Sequence, residues 1–104
     1  MLEELIIEGE KLESEVQEGH GGVKFFKSVN FEKWITKSIF YLETYHSKSI
    51  VTEKARTQYQ SHNTNTNYGY YQTLLGSLKA TKEFEEFQES EREKELDALA
   101  NIKF

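Results

Sequence analysis

A chain of 104 residues is one domain's worth, long enough for a single modest core. Its formal net charge is −5, its hydrophobic share 37% and its aromatic share 13%, and it holds neither proline nor cysteine. The missing cysteines exclude disulfides and thiolate metal sites, and the missing prolines fit helices joined by short connections. No apolar run approaches the roughly 20 residues of a membrane span.

The opening Leu2, Glu3, Glu4 and Leu5 lacks the basic region of a signal peptide, so a soluble, cytoplasmic protein is expected. Leu2, Leu5, Ile6, Gly9, Leu12 and Val16 fall on one stripe and predict a first helix over residues 2–17. Gly9 inside that helix predicts close approach of another helix, and Gly19 suits its left-handed C-terminal cap. Residues 19–22 hold three glycines and His20, but no lysine and Ser/Thr follow at P-loop spacing. They read as a flexible connector. Residues 23–29 read as a short extended segment rather than half of a hairpin, since no partner strand is evident.

The central helix is expected over residues 30–46. It carries the only tryptophan and an apolar face of Phe31, Trp34, Ile35, Ile39 and Leu42, with Asn30 as its N-cap. Ser49 is expected to cap a thinly apolar third helix over residues 50–60. The polar run at 61–67 reads as a loop, because Ser, Thr and Asn side chains compete for their own backbone. A second strong stripe follows: Tyr71, Leu74, Leu75 and Leu78, continued by Thr81 or Lys82 and then Phe84 and Phe87. Gly76 within it again predicts close packing. Residues 89–104 continue this helix or form a separate C-terminal helix or tail, with Leu96, Leu99 and Ile102 as its apolar positions. The expected fold is all-α: a single domain over 1–104, a four- or five-helix bundle with residues 31–45 and 70–84 as its core pair.

Charge is unevenly spread. Residues 1–18 hold seven acids and one base, residues 82–97 eight acids and three bases, and residues 19–81 three acids and eight bases. Acidic end helices folding over a basic centre would neutralise it; otherwise each sign offers a partner a face of its own.

No catalytic constellation emerges. His20, His46 and His62 share no i, i+4 spacing, and no HExxH or Gly-x-Ser-x-Gly occurs. Glu83, Glu86 and Glu93 belong to a solvated face. No enzyme activity, cofactor or metal is expected. The basic stripe of Lys24, Lys27, Lys33, Lys37, Lys48, Lys54 and Arg56 allows nucleic-acid binding as a third-ranked function. The aromatic surplus points instead to protein binding: Phe25, Phe26, Phe40, Tyr41, Tyr45, Tyr68, Tyr70 and Tyr71 exceed what the two stripes need. The candidate interaction residues are Phe40, Tyr41, Tyr45, Tyr68, Tyr70, Lys33, Lys37, Lys54, Arg56, Glu83, Glu86, Leu96 and Leu99.

Three stretches carry a resemblance: LEELIIEGEKL at 2–12, FEKWITKSIFYLETY at 31–45 and YYQTLLGSLKATKEF at 70–84. As hydrophobic patterns, they resemble small helical domains of phage and mobile-element proteins and of prokaryotic defence systems. The resemblance implies a protein that acts by binding, such as a stoichiometric inhibitor of a defence nuclease inside a bacterial host. It carries over no functional residue. A self-associating helical module, with Leu96, Leu99 and Ile102 at the contact, is the alternative.

Overall fold

The computed structural model describes residues 1–102. Four helices form: α1 (Leu2–Lys11), α2 (Val29–Tyr45), α3 (Ile50–Ser61) and α4 (Asn67–Ala100). Two short strands, β1 (Gln17–Glu18) and β2 (Lys24–Phe25), pair antiparallel between α1 and α2, with Gln17 opposite Phe25. The architecture is the expected all-α bundle with a short extended segment before the central helix.

The first helix is shorter than its stripe suggests. It ends at Lys11 and tightens into a 3₁₀ turn over Leu12–Glu15, which still buries Leu12. Acids are unfavourable at a helix C-terminus, and here Glu13 and Glu15 serve elsewhere. They accept hydrogen bonds from the Tyr68 hydroxyl at 2.7 Å and from Asn30 Nδ2 at 3.2 Å. The chain released from the helix supplies β1, the partner that residues 23–29 were expected to lack. The result is a minimal hairpin. Its left-handed positions are Gly21 (φ 69°) and Gly22 (φ 77°), not Gly19 (φ −105°).

Ser28, rather than Asn30, caps α2: its Oγ accepts from Phe31 N at 3.1 Å. Ser49 caps α3 as expected, accepting from Val51 N. α1 packs on both α2 and α4, and α3 also packs on both. The expected core pair, α2 and α4, therefore face each other across the diagonal of a four-helix ring. They meet through long side chains. The Trp34 and Tyr71 ring centroids lie 5.5 Å apart, and Phe26 stacks on Phe31 at 4.4 Å and tilts against Tyr71 at 4.9 Å. Phe26 and Tyr71 are thus core, which accounts for part of the aromatic surplus.

Polar groups fix this core in place. Trp34 Nε1 donates to Leu5 O at 2.8 Å, and the Tyr71 hydroxyl donates to Gly9 O at 2.7 Å. Gly9 is required where it stands, because a Cβ there would lie 2.7 Å from Trp34 Cζ2. Asn67, buried at the start of α4, holds the hairpin: its Oδ1 accepts from Phe26 N at 2.9 Å and its Nδ2 donates to Phe26 O at 3.0 Å.

α4 is one unbroken helix of 34 residues, so the chain from residue 89 to Ala100 continues it rather than forming a separate C-terminal helix. At 1.5 Å per residue it runs about 50 Å, roughly twice the depth of the bundle. Its last buried position is Thr81, and every residue from Glu86 to Ala100 is exposed. This arm stretches the molecule to 71 × 25 × 21 Å, with a radius of gyration of 17.7 Å against about 13 Å for a compact chain of this length.

Candidate protein-binding surfaces

The arm is built of good helix formers but poorly placed charges. Residues 88–100 hold five acids and two bases, a net of −3, and no base occupies the last turn. Acids near the negative end of the helix dipole oppose the helix, and a lone helix of this length is marginal in water. Apolar side chains are nonetheless uncovered along it: Phe84 is 51% exposed, Phe87 61%, Leu96 57% and Leu99 61%. Phe84 and Phe87 therefore do not continue the buried stripe. The core-facing side of α4 passes instead through Thr81 and Glu85, and beyond the bundle through Glu89, Arg92, Leu96 and Leu99, at helical spacing from Leu78.

Glu85 anchors the arm where it leaves the bundle. Its Oε2 accepts from the Tyr41 hydroxyl and lies 2.7 Å from His46 Nε2. Burial, then the adjacent Glu85 carboxylate, pushes the Tyr41 hydroxyl above its ordinary pKa. His46, at the C-terminal end of α2, is thereby a tether between α2 and α4. This cluster was invisible in sequence because its members are 39 and 44 residues apart.

A second surface is a groove of about 470 Å³ between α1 and α2, lined by Met1, Leu5, Lys37, Phe40, Tyr41 and Tyr45 among others. Phe40 and Tyr45 are exposed on its rim. Lys37 is not free there: its Nζ lies 2.7 Å from Glu8.

The other expected interaction residues separate by burial. Tyr41 and Tyr70 are core residues. The Tyr70 hydroxyl donates to Ala55 O at 3.0 Å, and its pKa is raised mainly by burial. Tyr68 is half-buried against the core and tied to Glu13. Arg56 pairs with Glu43 at 2.7 Å, and Glu86 lies 3.8 Å from Lys82. Lys33, Lys54 and Glu83 are exposed. The basic centre is neutralised in part by the first helix, through Lys37–Glu8 at 2.7 Å and Lys79–Glu10 at 3.6 Å, and Lys82 of the C-terminal stretch lies 3.7 Å from Glu3. Of the C-terminal acids, Glu85 reaches back to His46, whereas those of the projecting arm are exposed. Exposed pairs of this kind contribute at most about 1 kcal/mol each, so they balance charge more than they hold the fold.

Gly76 corrects another expectation. A Cβ built there meets nothing within 4 Å, and the same holds for Gly69. Both glycines lie in open space on the outer face of α4. Among the described residues, no group of three or more His, Cys, Asp or Glu is placed to hold a metal ion, and no helix is long and apolar enough to cross a membrane. Compared with known proteins, the chain matches no family model, no curated protein and no solved structure.

Proposed function

We propose that this protein acts by binding another protein, with the projecting arm of α4 as its principal contact. One observation carries the reading: a helix continues well beyond the bundle while exposing Leu96 and Leu99 among acidic side chains. Its inward side, with Glu89, Arg92, Glu93 and Leu96, borders a shallow hollow beyond the bundle end. A partner suited to it would present a basic groove with an apolar notch, the kind of surface that nucleic-acid-processing enzymes carry. Inhibition of a bacterial defence nuclease is the specific form of this reading that the sequence resemblance favours.

The test compares the tagged full chain with a Leu96→Asp/Leu99→Asp variant in capture from a bacterial lysate, followed by reconstitution with the purified captured protein. The reading expects a stoichiometric complex with the full chain, weakened at least tenfold in the variant and by added salt. Equal binding by both proteins would overturn it.

A further inference from the structure

We infer that the outer face of α4 is the self-complementary interface of an antiparallel dimer, its two-fold axis passing beside Ala80. The inference concerns a different face of α4 from the one proposed above and does not depend on it. Along this face the spacing reads the same in both directions from Ala80. Four residues away lie Phe84 on one side and Gly76 on the other; seven away, Phe87 and Thr73; eleven away, Glu91 and Gly69. All keep to one side of the helix.

Antiparallel pairing about Ala80 thus sets each large side chain of one copy against a small residue of the other. Phe84 meets the bare backbone at Gly76, Phe87 meets Thr73, and Glu91 passes over Gly69. A closed two-fold contact requires such reciprocal complementarity. The space is present: nothing lies within 4 Å of a Cβ built at Gly76 or Gly69, and Phe84 and Phe87 stand largely exposed.

Two further features agree. Gly69 and Thr73 line a groove of about 360 Å³ between the end of α3 and the start of α4, which also contains Gln58, Ser61 and His62. Phe87 and Glu91 of the second copy would enter there. Gln58 Oε1 is buried in the monomer without a hydrogen-bond partner. Turning that amide over would present its Nε2 donor to the incoming Glu91 carboxylate. The same register carries the acidic arm past the opposite end of the partner bundle, where Lys27 and His62 line one hollow and Lys24 lies over Tyr68. Opposite charges therefore meet.

The paired stretch from Gly69 to Glu91 is about 33 Å long. A strip of that length and about 12 Å wide covers roughly 400 Å² on each copy. The strip thus covers about 800 Å² for the pair, and the arms add to this where they pass the partner's bundle end, toward the roughly 1,000 Å² expected of a specific interface.

Light scattering across a concentration series provides the test, with cross-linking to fix the register. The wild-type chain should have twice its 12.2 kDa monomer mass. Phe84→Glu/Phe87→Glu should have the monomer mass with unchanged helical circular dichroism, since both side chains are exposed. The chain has no cysteine, so single-cysteine variants report position cleanly. Ala80→Cys should be joined by a short bis-maleimide, whereas Lys94→Cys, about 40 Å from its symmetry mate in this register, should not. A monomeric wild type, a dimer that survives the double glutamate substitution, or cross-linking at position 94 in place of 80 would each overturn the proposal.

Discussion

The same substitution should have opposite effects at two helical glycines. At Gly9 a Cβ would lie 2.7 and 2.9 Å from two atoms of the Trp34 indole and 3.0 Å from a Leu75 methyl. The indole cannot yield easily, because it is fully buried and its Nε1 is bonded to Leu5 O one turn earlier in the same helix. α1 would have to move outward, lengthening that bond and the Tyr71–Gly9 bond together. Overpacking of this kind costs about 1–3 kcal/mol, and each strained buried hydrogen bond adds up to about 1 kcal/mol. Alanine recovers about 1 kcal/mol of helix propensity. The net expectation for Gly9→Ala is a loss of about 1–3 kcal/mol. At Gly76 nothing opposes the methyl, so the full propensity gain of about 1 kcal/mol should appear in monomeric protein. Urea titration followed by the fluorescence of Trp34, the only tryptophan, reads both. With an m-value of about 2 kcal/mol/M, the midpoint should fall by about 0.5–1.5 M for Gly9→Ala and rise by about 0.5 M for Gly76→Ala. A Gly9→Ala variant as stable as wild type would refute the packing argument.

Asn67→Ala should cost about 2–3 kcal/mol, because it strips both partners from the buried Phe26 backbone, and amide exchange at Phe26 should accelerate. Alkali should destabilise the fold. Burial, and then the charge of Glu13, pushes the Tyr71 hydroxyl up to about 12, and burial raises Tyr41 and Tyr70 too. A raised folded-state pKa gives stability that is complete below about pH 10, the unfolded value, and lost as pH climbs toward 12. Tyr71→Phe should flatten that decline in pH-dependent urea midpoints. In monomeric protein, truncation after Phe87 removes only exposed residues of the described chain, so the bundle's unfolding free energy should shift by no more than about 0.5 kcal/mol.

Helix positions were legible where apolar residues recur at helical spacing over several turns, as in Phe31, Trp34, Ile35 and Leu42. Features that depend on distant residues were not. The hairpin needs Gln17 to face Phe25, and residue 17 reads locally as the end of a helical stripe. Asn67 looked like one more polar loop residue, although its amide matches the two backbone groups of a residue 41 positions earlier. Phe84 and Phe87 extend the apolar pattern of α4 but drift to its outer face, since the bundle-facing side runs through Thr81 and Glu85. The two glycines within helices look alike in sequence; only the neighbouring elements separate one wedged against an indole from one in open space. Among the interaction candidates, Tyr41 and Tyr70 are amphipathic side chains whose hydroxyls found partners inside the bundle, whereas Phe40, Tyr45, Leu96 and Leu99 stayed outside.

Amide hydrogen exchange, resolved along the chain in the free protein and in the complex with its captured partner, tests most directly whether the arm is where this protein binds another. Exchange should be fast over residues 88–100 in protein kept monomeric by Phe84→Glu/Phe87→Glu, and those residues should be strongly protected in the complex. Protection confined to the groove around Phe40 and Tyr45, with the arm exchanging as before, would contradict that assignment.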